Sequence, residues 1–178
     1  MSKKTVFNYF PVKEDLVFRA GAERRAELVA AIRGRPPGTS LVGPFREHTG
    51  AYLDRIEREP AEDSTAVPRL VMGSRALRDR LFVAWEQEAA VLGPVIAEEA
   101  GEPPDAIAPA AVARTLSWMH RVVVRASFSR MLAGEDPQLV AVELRREARR
   151  AYDLVEGGLA GYGASRSAAT KSASSSAA

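Results

Sequence analysis

A chain of 178 residues with 46% apolar content is long enough for one good core, or for one small domain with an appendage. The absence of cysteine excludes a disulfide framework and a thiolate metal site, and no run reaches the apolar length that a membrane span needs. The net charge of +2 is unevenly spread: residues 1–35 hold eight Lys/Arg against four Asp/Glu, and residues 36–164 hold fifteen against nineteen, so a basic end sits on an acidic body.

Residues 1–18 begin with a polar, basic segment, Ser2, Lys3, Lys4 and Thr5, followed by the aromatic cluster Phe7, Tyr9 and Phe10. The N-terminus as given lacks the apolar core of a signal peptide. Pro11 breaks the chain, and Glu14 and Asp15 open an amphipathic run. The pattern reads as the end of one short helix, a corner, and the start of a longer helix. Lys3, Lys4, Thr5, Asn8 and Tyr9 carry donors or dual donor–acceptors, the groups used against phosphates and base edges.

The run Thr5-Val6-Phe7-Asn8-Tyr9-Phe10-Pro11, continuing through Lys13-Glu14-Asp15-Leu16, resembles the end of the DNA-binding domain of the tetracycline-repressor (TetR) family of bacterial transcription regulators. The match spans about a tenth of the chain. The resemblance implies that the helix before Tyr9-Phe10 is the recognition helix of a helix-turn-helix. It implies that the helix after Pro11 links this reader to a ligand-binding domain. Ser2, Lys3, Lys4, Thr5 and Asn8 would then face base edges, while Tyr9 and Lys13 would grip phosphates.

Two departures stand out. The family carries two further helices ahead of the recognition helix, so the expectation is a start upstream of Met1, or a truncated reader. Val12 stands where the family has a small hydroxyl residue, and it is expected to cap the linking helix poorly, with Glu14 and Asp15 offsetting the loss through the helix dipole.

The linking helix is predicted from about Lys13 to Ile32, with Leu16, Val17, Ala20, Leu28 and Ile32 as its apolar stripe and Arg19, Arg24, Arg25 and Glu27 elsewhere. Gly34 and Pro36-Pro37 end it. A second helix starts near Thr39 or Ser40, where Leu41, Phe45, His48, Tyr52 and Ile56 recur at helical steps. Residues 58–66 read as a polar, acidic loop, and Pro68 as the opening of a short helix stopped by Gly73. Ser74 caps a long helix over about 75–100, which Gly93-Pro94 should kink. Apolar residues on several faces mark a helix over 106–133, and Asp136-Pro137 begins the last, to about Leu159. Residues 163–178 are rich in Ser and Ala and read as a disordered tail.

Alternating strand patterns and internal repeats are absent from the sequence. The predicted fold is all-α, a helical bundle resembling a TetR ligand-binding and dimerisation domain behind the remnant of a helix-turn-helix. Residues 1–33 form the remnant, 34–162 the helical domain and 163–178 the tail.

Candidate pocket residues are Phe45, Tyr52, Phe82, Trp85, Trp118 and Met119, because ligand pockets between bundle helices are apolar with a few convergent polar groups. Arg121 and Arg125 share a helical face with Trp118 and could meet the anionic end of an amphipathic ligand, or else pair with Glu86 or Glu88. His48 and His120 have no ligand-spaced partner, so no metal site and no cofactor are predicted. No phosphate loop or nucleophile motif occurs, so an enzymatic role is not expected.

The resemblance implies a cytoplasmic repressor, released from double-stranded DNA by a small hydrophobic or amphipathic ligand. It would dimerise with a second copy through helices 106–133 and 137–159, Arg145, Arg149 or Arg150 pairing with acids across the interface. The alternative is a ligand-binding or dimerisation module without DNA-binding activity.

Overall fold

The computed structural model describes residues 10–159 and Tyr162, with side chains from Phe18 onward. Among these residues the chain is all-α, with six helices and no strand. They are α1 (Phe10–Gly34), α2 (Val42–Arg58), α3 (Ala61–Gly73), α4 (Arg75–Ala100), α5 (Ile107–Leu132) and α6 (Pro137–Leu159). No described helix is long and apolar enough to cross a membrane.

α1 begins at Phe10, earlier than its periodicity predicts, and this places Pro11 in the first turn. There a missing N–H costs no helical bond, so proline is tolerated. Val12 therefore lies inside the helix and is not its cap. The chain leaves α1 through Pro36-Pro37-Gly38-Thr39, closed by the Thr39 amide on the Pro36 carbonyl at 3.2 Å. Gly38, at φ +82°, takes the left-handed third position such a turn requires.

The loop predicted over 58–66 shrinks to Glu59-Pro60. Glu62 and Asp63 occupy the first turn of α3, where carboxylates favour the helix dipole, and their acidity marks a helix start. Pro68 lies inside α3 and does not open it. The helix gives up one backbone bond there, and Ser64, Pro68 and Val71 bury one face in compensation. Ser74 caps α4 as predicted, its hydroxyl accepting from the Leu77 amide at 3.3 Å. α4 runs on through Gly93-Pro94 to Ala100, where left-handed Gly101 ends it. Asp136 opens α6 by accepting the Gln138 amide at 2.8 Å.

α4 packs along α5 and α2 along α6, while α5 joins the two pairs and α1 lies on α4 and α2. Two apolar clusters form the core. The first gathers Leu28 and Ile32 of α1 with Phe45, Leu92, Ile96 and Leu116. The second sets Leu53 and Ile56 of α2 against Val124 and Met131 of α5 and Val140 and Leu144 of α6. Ion pairs fix α2 to α6: Arg46 reaches Asp153 and Glu156 at 2.6 Å each, and Arg145 reaches Asp54 at 2.5 Å and Glu57 at 2.7 Å. Arg145 thus pairs within the chain.

Candidate ligand cavity

α1 from Phe18 to Arg25 and the inner face of α3 contribute to neither core cluster. A cavity of about 710 Å³ opens between them and α2, α4 and α5, within the range of sites that hold a drug-sized molecule. Phe18, Gly21, Arg24 and Arg25 of α1 form one wall. Ile56, Val67, Val71, Val124, Phe128 and Met131 supply apolar lining. His48, Tyr52 and Arg55 of α2, Trp85 and Glu88 of α4 and His120 of α5 are among its polar groups, and Glu59, Asp63, Ser64, Arg80 and Gln87 also line it.

Helical phase places these groups. Arg24 stands one turn before Leu28 and two turns before Ile32, so it lies on the face of α1 that is buried further along. The prediction that set Arg24 and Arg25 apart from the apolar stripe is corrected here. His48 is half-buried and shares the face of α2 that carries buried Phe45 and Tyr52.

The histidine rings lie 4.6 Å apart, and Tyr52 meets His120 edge-on at 5.6 Å. His120 Nδ1 shares a hydrogen bond with the Thr49 hydroxyl at 3.1 Å, and that hydroxyl bonds the buried Tyr152 hydroxyl of α6 at 2.8 Å. Tyr52 bonds Ser127 of α5 at 2.5 Å. These bonds cross the middle of the bundle, where polar groups need partners to be buried without cost.

Burial, helped by the nearby Arg24 and Arg55 charges, pushes His48 down to about 4. His120 is pushed well below its ordinary value by burial first, then by His48 and the same arginines. Both rings are therefore neutral near pH 7. Burial holds Glu88 above the usual carboxylate range, against the pull of Arg121, Arg25 and Arg24. Tyr52 and Tyr152 are each raised to about 12 by burial.

A stability change follows. Histidines depressed by folding bind protons more readily in the unfolded chain, so stability is lost as pH falls through the unfolded value near 6.5. Glu88 has the opposite sign between its raised folded value and its lower unfolded one, so one carboxyl offsets part of what two histidines lose. Urea unfolding is expected to lose about 2 kcal/mol of stability between pH 7.5 and 5.0, after allowance for screening of two partly exposed rings. A flat profile over that interval contradicts a neutral pair.

Of the sequence-predicted pocket residues, Tyr52 and Trp85 line this cavity. Phe45 is packed into the first core cluster, and Met119 lies against it. Phe82 and Trp118 are 57% and 52% exposed. Arg121 is buried, bonds Glu86 at 2.9 Å, donates to the Trp85 carbonyl and lies over the Trp85 ring. It is thus engaged by α4, in the acid pairing that the sequence offered as its other role, and Arg125 is exposed. Arg24, Arg55, Glu88 and the two histidines are the cavity groups that sequence reasoning passed over. The DNA candidates Ser2, Lys3, Lys4, Thr5, Asn8 and Tyr9, the side chain of Lys13 and the tail 163–178 lie outside what is described.

Compared with protein-family models, with curated proteins and with solved structures, the chain matches none.

Proposed function

We propose that the chain is a TetR-type transcriptional regulator, a repressor whose hold on double-stranded DNA is released when a small, largely apolar ligand fills the cavity. The observation that carries this is the position of α1. Phe18, Gly21, Arg24 and Arg25 in its middle form a cavity wall, and the Thr5–Leu16 run that leads into it and through its first turns resembles the junction between a DNA reader and its ligand domain. Its C-terminal end is anchored by Leu28 and Ile32 in the core. A ligand that fits one setting of α1 better than another shifts the population toward that setting. In a dimer this changes the spacing of two readers, which must match successive major grooves.

A second copy is the partner that fits the exposed apolar residues of the last two helices. Ile107, Trp118, Val122 and Leu132 recur on one side of α5, and Leu139, Val142 and Leu154 on one side of α6. Exposed apolar side chains gathered in this way favour burial against a matching surface. A two-fold pairing of α5 and α6 would form a four-helix bundle. The cytoplasm is the corresponding location.

Fluorescence anisotropy with the intergenic DNA flanking the coding sequence tests the proposal, on this chain and on a version extended to the nearest upstream in-frame start. The expected result is specific binding by the extended form that survives a rise in salt better than binding to unrelated DNA. Equal, salt-sensitive binding to both DNAs by both forms removes the DNA role and leaves a ligand-binding or dimerisation module.

A further inference from the structure

The polar groups of the cavity are unevenly placed. Arg24 and Arg55 come close enough for each to act on His48 and His120, and Arg55 acts on Arg24. Arg55 spreads over the Tyr52 ring at 5.4 Å and reaches Glu59 only at 3.8 Å. Arg24 is half-buried and makes no hydrogen bond or ion pair among the described residues. Glu27, one turn along α1, and Glu88 of α4 act on Arg24 by charge alone, with no hydrogen bond or ion pair to it among the described residues, and burial holds Glu88 above the usual carboxylate range.

A guanidinium taken partly out of water beside a second one costs stability unless an anion joins them. The histidines add hydrogen-bonding capacity without positive charge. Thr49 occupies His120 Nδ1, and Nε2 has no hydrogen bond among the described residues. Val71, Val124, Phe128 and Met131 give the lining an apolar side, while Glu59, Asp63 and Ser64 line it where α2 passes into α3.

We infer that the cavity takes an amphipathic carboxylate, its anionic head between Arg24 and Arg55 beside the two histidines and its apolar body against Val71, Val124, Phe128 and Met131. The proposal rests on the cavity being a ligand site. A guanidinium pairs a carboxylate through two parallel N–H donors, so Arg24 selects this group over an alcohol of equal length. The same charge rejects a cationic head group.

Isothermal titration of the full chain with decanoate, decanol and decyltrimethylammonium, each below its micelle concentration, tests this. Decanoate is expected to bind one per cavity, about tenfold or more tighter than decanol, the ratio that one charge-assisted hydrogen bond supplies. Arg24→Gln should remove that preference while leaving decanol affinity within about twofold, since a hydrocarbon tail does not use the charge. The same variant should melt no lower than the parent without ligand, because it relieves an unpaired charge. Decanol binding as tightly as decanoate overturns the carboxylate, as does an unchanged preference in Arg24→Gln, with the cavity still a ligand site. Tightest binding by the ammonium overturns it in favour of Glu88. Failure of all three probes to bind overturns it together with the cavity as a ligand site.

Discussion

Arg35→Met is expected to destabilise the protein by about 3–5 kcal/mol and to lower its melting temperature by roughly 10 °C. Arg35 lies just beyond α1, and its side chain is 6% exposed. It meets Glu99 of α4 at 2.5 Å and donates to the Ile32 carbonyl at 2.7 Å. The Glu99 side chain is fully buried. Removing the guanidinium takes from a buried carboxylate the cation that meets it at 2.5 Å, and losing one partner of a buried pair costs more than the pair itself contributes. The double variant Arg35→Met, Glu99→Leu should therefore recover most of the loss, because it removes both charges. Urea unfolding of the two singles and the double checks this, and a single-variant cost below 1 kcal/mol contradicts it. With Arg33 bonded to Glu98 at 2.9 Å, the pair ties the end of α1 to α4, beyond the stretch with Phe18, Gly21, Arg24 and Arg25 that borders the cavity.

The helices were legible in the sequence because their signals are local. Ser74 before an apolar run, Gly101 ahead of a proline pair and Asp136-Pro137 each act on the turn beside them, and each bounds a helix where the pattern says. The acidic start of α3 was misread because Glu62 and Asp63 have the polarity of a loop, and only their place in a first turn distinguishes the two. The cavity was legible only in part. Tyr52 and Trp85 could be picked as large side chains on buried faces, but Phe45 satisfies the same criterion and fills the core. What separates them is where the cavity opens between α1 and α3 and the rest of the bundle, which depends on packing between distant segments. Arg24 was legible in principle: a charge one turn from Leu28 and two from Ile32 interrupts an apolar face, and such interruptions mark either a buried pair or a site. His48 gave the same signal on α2. Their meeting with His120 joins positions 72 residues apart, from 48 to 120, and no spacing rule records it.

Phe45→Ala and Phe128→Ala separate core from cavity by their costs. Phe45 is 1% exposed and touches the cluster that holds Leu28, Ile32, Leu92, Ile96 and Leu116. Its ring is enclosed on all sides, so truncation loses transfer energy and leaves a void that close-packed neighbours cannot fill, about 3–5 kcal/mol in all. Phe128 is half-buried and borders the 710 Å³ cavity. Its removal enlarges a space that already exists, so only the transfer term is lost, about 1–2 kcal/mol. The effects on decanoate should run the other way. Phe128→Ala weakens binding by removing lining that the apolar body uses, whereas Phe45→Ala leaves affinity within about twofold wherever the variant is folded, because Phe45 does not face the cavity. Urea unfolding and titration of both variants check the four values together. Equal stability costs would contradict the division between a closed core and an open cavity. Such a division has a physical reason: the second cluster holds α2, α5 and α6 in one arrangement, while Phe18, Gly21, Arg24 and Arg25 of α1 and Val67, Pro68 and Val71 of α3 belong to neither cluster and border the open volume.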